Sequence, residues 1–562
     1  MNITQTILKP IALAAGLHAS AQARAFLRAH RRTAQVQRRV LMDLVRRHRD
    51  TDFGRDHGFE RIAGVDDFRS AVPVRGYEQL EPYFQRVREG RFGALLPAGQ
   101  PVLMFSRTSG ATGRPKHIPV TPEFLAHLRR GWNIWGRLAL RDHPRAWLRP
   151  IVQISSPLRE ADSPTGLPCG AVSGLLARTQ KRIVRRMYGV PAVVAGIQDA
   201  IVKCYVILRC AAGRDVAFIV TANPSSTIQL IETGQDHAQR LIRDLADGTL
   251  TPPGPLEEAV RRELRFRRHP ALARRLERDI RRDGALLPRH LWKPAFLANW
   301  TGGTLGLYLP RLRGLFDNVP IRDVGLLASE GRFSVPMRDG TAAGVAEIQG
   351  NFLEFIPADQ HDQADPPTRL AHEVEIGQEY FLVVTNCAGL WRYNLDDRVR
   401  VVDRLGDSPV IEFLCRGVRT ANITGEKLTE RQVVEAMQLA CHDSGLSCER
   451  FVAQGVFARP PYYQLRLDDQ DQRRASLLAA ALDQQLQGVN VEYAAKRRGG
   501  RLGPVCPLLL SPGHLEQAQQ QLLRQRGGRL EQYKHQYLLT EVITEPGDSA
   551  EPSPKACQEH YG

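Results

Sequence analysis

The amino-acid sequence predicts an α/β protein built from more than one domain. Its 562 residues exceed what one hydrophobic core organises, and 43% of them are apolar, which is enough to fill several cores. From about residue 100 onward, short apolar runs bounded by glycine-rich turns alternate with stretches of helical periodicity. This alternation is typical of a buried sheet covered by helices.

The elements follow from local patterns along the chain. The segment from residue 1 to about residue 75 is predicted to form two amphipathic helices and a loop, and Pro73 precedes a further helix. Arginine-rich helices are expected over residues 235–290. The predicted strands include QPVLMFS, DVAFIVTANP, EYFLVVTN and DRVRVVD.

Turn residues flank a short strand over residues 403–418, and we expect a domain boundary there. Residues 1–415 would form a large N-terminal domain. Residues 416–545 contain a helix, a strand and another helix, which predicts a small α+β C-terminal domain. The remaining residues, 546–562, have a composition typical of a disordered tail.

The net charge of +17 would suit a polyanion, but its distribution favours another interpretation. Within RRTAQVQRRVLMDLVRRHRD and RRELRFRRHPALARRLERDIRRDG, apolar residues recur at helical spacing. The arginines are therefore expected to form the solvated faces of packed helices. Because no zinc finger, basic zipper or aromatic-bearing basic strand accompanies them, no nucleic-acid partner is predicted.

No segment approaches the roughly 20 apolar residues that a membrane-spanning helix needs, so no membrane partner is predicted. The N-terminal PIALAAGLHASAQARAFL is interrupted by His18 and Arg24, and it fits an amphipathic helix better than a signal peptide. The nine cysteines lack CxxC pairs, and the spacing of Cys441 and Cys448 is not that of a zinc knuckle. These features predict a cytoplasmic protein with reduced thiols.

The segment FSRTSGATGRPKHIP has the composition of a phosphate-binding loop. Its hydroxyls, glycines and cations can converge on phosphate oxygens. Because no GK[ST] sequence ends the segment, a P-loop ATPase is disfavoured, and a polar hairpin is the structural alternative. The residues that carry this chemistry are Thr108, Ser109, Gly110, Thr112, Gly113, Arg114 and Lys116.

Two later segments offer carboxylates at the ends of predicted strands. In GLLASEGRF, Ser329 and Glu330 follow an apolar run, and such a carboxylate can hold Mg²⁺ beside a nucleotide. In TNCAGLWRYNLDDRVRV, a turn is predicted to lead to Asp396 and Asp397, which could accept hydrogen bonds from ribose. The structural alternatives are a surface glutamate and an ordinary pair of aspartates in a hairpin turn.

The order and separation of these three elements resemble the adenylate-forming superfamily. More closely, the chain resembles the Gretchen Hagen 3 auxin-responsive promoter family of acyl acid amido synthetases. The resemblance covers most of the chain, from TDFGRDHGF and VPVRGYEQLEPYFQRV through TGGTLGLYLPRLRGLF to the late QYKHQYL. It implies the adenylate-forming enzyme fold, a large α/β N-terminal domain with the ATP and acyl sites and a small mobile α+β C-terminal domain.

The resemblance also implies roles for individual residues. Ser109, Thr112 and Lys116 match the loop that holds the phosphates of ATP. Glu330 matches the acidic residue associated with Mg²⁺, and Asp397 the aspartate that binds ribose. In the C-terminal part, Arg416 stands at the hinge, Lys427 matches a family lysine just after it, and Lys534 matches the late lysine that the small domain carries into the site.

The sequence departs from the family pattern at several positions. Leu326 stands where the family usually has tyrosine, so adenine packing is expected to differ. The usual Gly-Asp is Asp396-Asp397 here, and His535 and Gln536 replace the proline and arginine after the late lysine. Arg129, Arg130, Trp132 and Trp135 could line an acyl pocket, but aromatic residues at this spacing are typical of a core, and no role is assigned to them.

The expected function is that of an ATP-dependent ligase. It would adenylate a small-molecule carboxylic acid and transfer the acyl group to an amine, with an amino acid as the amine and with ATP and Mg²⁺ as cofactors. An acyl-CoA ligase, which shares the first half-reaction, is the enzymatic alternative. A basic scaffold or nucleic-acid-binding protein with a decayed synthetase fold is the non-enzymatic one.

Overall fold

The computed structural model describes residues 3–108, 116–180, 182–185, 187–417, 420–421, 423–424, 426, 428–458, 460–525 and 535–544. The chain divides into two compact units. Among the described residues, the first unit comprises 3–305 and 309–414, and the second comprises 306–308 and the residues from 415 onward. The second unit thus begins next to the boundary predicted at residue 416, and the predicted tail lies outside the described residues.

Both units contain helices as well as sheets. Those of the first unit are α1 (Ile3–Ala29), α2 (Thr33–His48), α3 (Asp52–Asp56), α4 (Val65–Ala71), α5 (Tyr77–Arg88), α6 (Pro122–Asp142), α7 (Val172–Arg178), α8 (Arg182–Arg185), α9 (Ala200–Ala211), α10 (Pro224–Asp236), α11 (Ala238–Asp247), α12 (Glu258–Glu263), α13 (Pro270–Asp283), α14 (Pro288–Leu291) and α15 (Leu309–Leu315). Those of the second are α16 (Glu430–Ser444), α17 (Gln472–Val489), α18 (Val491–Arg498) and α19 (His514–Gln525).

The strands are short except around residues 379–416. In the first unit they are β1 (Met104–Thr108), β2 (Lys116–Val120), β3 (Ile151–Gln153), β4 (Ala161–Asp162), β5 (Pro168–Gly170), β6 (Phe218–Val220), β7 (Phe296–Asn299), β8 (Ile321–Asp323), β9 (Leu327–Ala328), β10 (Gly331–Arg332), β11 (Ser334–Val335), β12 (Gly344–Ala346), β13 (Asn351–Pro357), β14 (Arg369–Leu370), β15 (Glu379–Asn386) and β16 (Leu390–Leu405). Then follow β17 (Ser408–Arg416), which reaches the second unit, β18 (Thr420–Ala421), β19 (Leu428–Thr429), β20 (Phe451–Phe457), β21 (Tyr462–Asp468), β22 (Cys506–Leu510) and β23 (Leu538–Thr544).

The first unit contains a parallel sheet, a seven-stranded sheet with antiparallel strands, and a mixed sheet of the order β2-β1-β5-β4. Strands β3, β6, β7 and β8 form a parallel sheet with buried central residues, as the crossover helices between them require. A seven-stranded sheet follows the order β11-β12-β17-β16-β15-β13-β14, and its strands β13, β15 and β16 run antiparallel. The predicted α/β class is confirmed, and the structure divides the predicted buried sheet into several.

An aromatic cluster anchors the N-terminal helices to the large sheet. The indole of Trp391, fully buried on β16, stacks on Phe53 at 5.7 Å between ring centroids and meets Phe59 edge-on at 4.7 Å. Such rings combine a large buried area with favourable edge and offset geometry. This cluster fixes the backbone that carries Tyr393, two residues further along β16.

The arginine-rich helices behave as their periodicity predicts. Helix α2 buries Leu41, Leu44 and Val45, whereas Arg46 on its opposite face leaves 71% of its side chain exposed. The arginines therefore solvate the outer face while the leucines pack inward. Across the described residues, no helix is both long enough and apolar enough to span a membrane.

The second unit has its own core. Helices α16 and α17 contribute Val433, Met437, Leu478 and Leu482, which are buried against the sheet β22-β21-β20-β23. Thr429 caps α16 by accepting a hydrogen bond from the backbone of Gln432 at 3.2 Å, and this cap fixes where the helix begins.

Candidate functional site

The predicted phosphate loop lies between the two strands of a hairpin. Thr108 ends β1 and Lys116 begins β2, and the two are register partners in the antiparallel pair. The flanks of the loop are thus held side by side. The predicted residues Ser109, Gly110, Thr112 and Gly113 lie outside the described residues, as does the side chain of Thr108.

Lys116 lies between two tyrosines. Its ammonium Nζ donates a hydrogen bond to the hydroxyl of Tyr393 at 2.9 Å, and it lies 5.5 Å from the ring centroids of both Tyr77 and Tyr393. The hydroxyl of Tyr77 accepts a hydrogen bond from the backbone N–H of His117 at 3.0 Å. The aromatic faces attract the cation and restrict its position.

Glu330 lies close enough to Tyr77 to act on this tyrosine electrostatically. The pKa of the Tyr77 phenol is raised to about 12, mainly by burial and in smaller part by the negative charges of Glu81 and Glu330. The phenol therefore stays protonated at neutral pH. The motifs of Lys116 and Glu330 therefore meet in one region of the first unit. They are more than two hundred residues apart in the sequence.

The turn Ser329–Glu330 connects β9 to β10, where Ala328 pairs with Gly331. Glu330 is only 2% exposed, so its interpretation as a surface glutamate is wrong. Among the described residues, none forms a hydrogen bond or ion pair with its carboxylate. A buried carboxylate of this kind costs free energy unless a cation or a hydrogen-bond donor compensates it.

Two buried asparagines fix the backbone of this turn. The amide of Asn386 donates to the carbonyl of Glu330 at 2.9 Å and to Oδ1 of Asn351 at 3.2 Å. Asn351 in turn donates to the carbonyl of Arg332 at 2.8 Å. The turn and strand β10 of the hairpin are thereby tied to the large sheet. Asn386 is not among the residues predicted from the sequence, although it lies within the TNCAGLWRYNLDDRVRV segment.

The structure corrects the predicted position of the aspartate pair. The tight turn is at residues 387–389, and Asp396 and Asp397 lie inside strand β16 rather than in a turn. Phe381 pairs with Arg398 and Val383 with Asn394, so three residues of β16 stand opposite Leu382 alone. This irregularity is a β-bulge, and bulges redirect side chains.

The bulge is stabilised locally. Asp396 has a φ of +61° and donates its backbone N–H to Oδ1 of Asn394 at 2.9 Å. Aspartate tolerates this left-handed conformation better than most residues. Asp397, next in sequence, is 2% exposed. A β-bulge within strand β16 thus stands where the sequence predicts a turn.

The residues left without a role have structural partners. Trp135 is buried and donates from Nε1 to the carbonyl of Asp323 at 2.8 Å, as expected for a core residue. Arg130 pairs with Glu347 at 3.1 Å. Leu326, which replaces the family tyrosine, donates its backbone N–H to the hydroxyl of Ser334 at 2.9 Å.

The remaining candidates belong to the second unit. Arg416 is the last residue of β17. Lys427 and Lys534 lie outside the described residues. His535, which follows Lys534, contacts the carbonyl of Phe451 through Nε2 at 2.8 Å, and burial lowers the pKa of its imidazole. The roles implied for the two lysines therefore stay predictions.

Comparison with known families covers most of the chain. Residues 22–321 match the model of the GH3 family N-terminal domain, residues 345–416 that of the GH3 family central domain, and residues 431–542 that of the GH3 family C-terminal domain.

Curated relatives are similar over nearly their whole length. Jasmonoyl--L-amino acid synthetase GH3.5 of Oryza sativa subsp. japonica is 24% identical over 549 residues, which cover 90% of this chain and 92% of the relative. Indole-3-acetic acid-amido synthetase GH3.8 of Oryza sativa subsp. indica is 25% identical over 543 residues, which cover 89% and 87%.

A solved structure confirms the fold. The structure described as AtGH3.15 acyl acid amido synthetase in complex with 2,4-DB matches with a TM-score of 0.80 and 19% identity, over 94% of this chain and 95% of that one. At this identity the likeness shows a shared fold, and it agrees with the fold that the sequence resemblance implies.

Proposed function

The chain belongs to the GH3 family, and on that premise we propose that it is an ATP-dependent ligase that joins a carboxylic acid to an amino acid through an acyl adenylate. The names of the curated relatives, which conjugate jasmonate or indole-3-acetate, support the reaction class. The observation that carries the proposal is the buried carboxylate of Glu330, which acts electrostatically on Tyr77, one of the two tyrosines that flank the cation of Lys116. Both residues lie in motifs that the family resemblance assigns to ATP.

In the first half-reaction, a carboxylate oxygen of the acid attacks the α-phosphorus of ATP, and the bond to pyrophosphate breaks. Two anions approach each other, so the site has to offset negative charge. Lys116 is proposed to do so from one side, since the two tyrosines hold its ammonium in place. Lys116 is itself the last residue of the proposed phosphate-binding segment TSGATGRPK.

Glu330 is proposed to hold Mg²⁺. The residue fits this role because a carboxylate oxygen is a ligand that Mg²⁺ prefers, and this one is buried without a partner among the described side chains. When bound, the ion would neutralise charge on the phosphate oxygens. Asn386 would act as a positioning residue, because it holds the backbone carbonyl of Glu330.

Asp397 is proposed to accept hydrogen bonds from the ribose hydroxyls. A carboxylate has the acceptor capacity for two hydroxyls, and the bulge in β16 sets its direction. In the second half-reaction, the amine attacks the acyl carbon, AMP leaves and the amine loses a proton. A rotation of the second unit about Arg416, bringing Lys427 or Lys534 to the adenylate, remains part of the proposal.

The test follows pyrophosphate and product in one assay. The protein is incubated with ATP, Mg²⁺, a panel of carboxylic acids and mixed amino acids, and products are identified by mass. We expect acid-dependent pyrophosphate and an acyl amide. No pyrophosphate with any acid would overturn the proposal, and a thioester with CoA without any amide would identify an acyl-CoA ligase instead.

A pair of lysine variants links the activity to the site. Lys116→Met should lower pyrophosphate release on the order of 10²-fold, because one preorganised contact to developing charge is lost. Lys293→Met, an exposed lysine of the same unit, is the matched control and should stay within about twofold of the parent protein. Equal rates in the two variants would remove Lys116 from the mechanism.

A further inference from the structure

Helix α6 and the turn after β15 bring together three different metal-ligating side chains. One ligand atom each from Glu123, His127 and Cys387 lies within 4.8 Å of the other two. Thr121 caps the helix by accepting a hydrogen bond from the backbone of Phe124 at 3.2 Å. Glu123 and His127 are at positions i and i+4 of this helix, so they lie one turn apart on the same face. Cys387 is the first residue of the turn that faces them.

We propose that Glu123, His127 and Cys387 bind a divalent metal ion of the zinc type, which ties helix α6 to the β15–β16 turn. An oxygen, a nitrogen and a sulfur donor together suit Zn²⁺, which is commonly four-coordinate. The distance from Sγ of Cys387 to Nδ1 of His127 is 3.8 Å. Metal bonds of about 2.3 Å to sulfur and about 2.0 Å to nitrogen, at a tetrahedral angle, separate two such atoms by about 3.5 Å.

The first ligand, Glu123, keeps an oxygen for the ion. Arg47 donates to Oε2 of Glu123 at 2.6 Å and pairs with Asp43 at 2.9 Å. No described residue hydrogen-bonds to Oε1. A ligating carboxylate is commonly oriented by such an outer hydrogen bond, and Arg47 supplies it here.

Two of the cations around the cluster have carboxylate partners of their own. Arg47 has Asp43 as a second partner, and Arg130 pairs with Glu347 at 3.1 Å. Arg332 also lines the adjoining cavity. Asp43 also pairs with the exposed Arg46 at 2.5 Å, so Arg47 and Arg130 each have a carboxylate partner besides any ligand of the ion.

The adjoining cavity provides a place for a fourth ligand. It has a volume of about 10 Å³, and His127, Cys387 and Asn386 are among its lining residues. A cavity of about this size accommodates one water molecule. Three protein ligands and one water complete a tetrahedral site.

Binding requires one proton to leave. Burial raises the pKa of the Cys387 thiol, so the free cysteine is a thiol at neutral pH. On binding, the bond from sulfur to the metal forms, the S–H bond breaks and the proton passes to water, with no change in oxidation state. Burial, with the charge of Arg130, lowers the pKa of His127, so its imidazole is neutral and able to ligate.

The site has a consequence for the proposed catalytic turn. Cys387 follows Asn386, whose amide donates to the carbonyl of Glu330. An ion bound at Cys387 would therefore restrain the residue that positions Glu330. Cys387 is not part of a CxxC pair, so the spacing of the cysteines in the sequence does not indicate a zinc site here.

The test uses the full chain, reduced and freed of metal, titrated with Co²⁺ alone. We expect a near-ultraviolet charge-transfer band from thiolate to cobalt that saturates at one ion per chain and is displaced by Zn²⁺. Cys387→Ser should abolish the band. Cys204→Ser, which removes another buried cysteine, on α9, is the matched control and should retain it.

His127→Asn guards against loss of folding, because His127 is only partly buried. It should weaken cobalt binding at least tenfold while far-ultraviolet circular dichroism stays unchanged. Absence of the band in the parent protein at excess Co²⁺, its persistence in Cys387→Ser, or unchanged affinity in His127→Asn would each overturn the proposal. The titration needs no substrate, so its outcome is independent of the proposed ligase activity.

Discussion

Arg392 and Arg332 are both almost fully buried in the first unit, yet they are held in opposite ways. Arg392, 4% exposed, uses all five N–H groups. Its Nε and Nη2 donate to the carboxylate of Glu354 at 3.0 and 3.2 Å, and Nη2 also donates to Thr368 at 3.0 Å. Its Nη1 donates to the carbonyls of Arg69 and Val72 at 3.2 and 2.8 Å.

Arg332, 3% exposed, makes far fewer bonds. Its Nη1 donates to the carbonyl of Val324 at 2.7 Å, and its guanidinium lies 4.5 Å from the ring centroid of Trp132. Its Nε and Nη2 have no hydrogen-bond partner among the described residues. Burial lowers the pKa of its guanidinium to about 10.

A glycine on the neighbouring helix makes room for Arg332. A Cβ atom at Gly131 would lie 2.4 Å from Cδ of Arg332. A glycine in a helix interior costs up to about 1 kcal/mol relative to alanine, and here it lets the long side chain cross α6.

The difference distinguishes a residue pair that holds the fold together from a hairpin whose polar atoms can still bind a ligand. The Arg392–Glu354 pair is saturated, and it joins the N-terminal helices to the large sheet. The β9–β10 hairpin instead carries Glu330 and Arg332. Some polar atoms of these two side chains have no hydrogen-bond partner among the described residues. Buried polar groups without protein partners are uncommon and call for a functional explanation.

The largest effect is expected from breaking the saturated pair. Arg392→Leu leaves the carboxylate of Glu354, which is 1% exposed, with one cation fewer in a buried setting. The free energy of unfolding should fall by about 3–5 kcal/mol, measured by urea denaturation. Arg46→Leu, at an exposed position, is the control and should change it by less than about 0.5 kcal/mol. Similar losses in both variants would contradict the comparison.

The second prediction concerns two buried histidines, whose protonation changes the free energy of unfolding. Burial lowers the pKa of His30 and of His48 from 6.5 to about 4. The unfolded chain binds these protons first as the pH falls, so the stabilisation is complete above about pH 6.5 and is lost progressively towards pH 4. Each histidine should contribute about 3 kcal/mol to this loss.

The measurement compares urea midpoints at about pH 7.5 and about pH 4.5. His30→Asn should reduce the difference between the two midpoints, because one buried imidazole no longer takes up a proton. A pH dependence identical to that of the parent protein would show that His30 does not titrate below its ordinary range in the fold.

The third prediction addresses the carboxylate of the hairpin. Glu330→Gln should lower acid-dependent pyrophosphate release on the order of 10²-fold, because a charge proposed to hold Mg²⁺ is lost. Its stability should be unchanged or slightly higher, since a buried charge without a protein partner is removed. The exposed Glu60→Gln is the control. Full activity in Glu330→Gln would assign the metal to another group.

The smallest effect is expected from Arg332→Met. The methionine keeps an apolar stem against Trp132, and no ion pair within 4 Å is broken among the described residues. The free energy of unfolding should change by less than about 1 kcal/mol, measured by the same urea assay. A loss as large as that of Arg392→Leu would show that the remaining donors of Arg332 have partners in the folded protein.

The sequence allowed much of the fold and part of the site to be predicted, because both leave local patterns. Helical periodicity identified α2 and its exposed arginines, and apolar runs identified β15. The motifs named Lys116, Glu330 and Asp397 as candidates. The partners of these residues were missed, because Tyr77, Tyr393 and Asn386 come from separate elements whose contacts have no local signature.

By itself, the sequence determined the α/β class, the order of the elements and the chemical types available to the proposed nucleotide site, since periodicity and turn chemistry act over a few neighbouring residues. Only the tertiary structure decided that Glu330 is buried, that Asp397 lies in a bulged strand, and that His127 meets Cys387. The last two residues are 260 positions apart. Burial and strand register arise from contacts between distant segments, and these depend on how the whole chain packs.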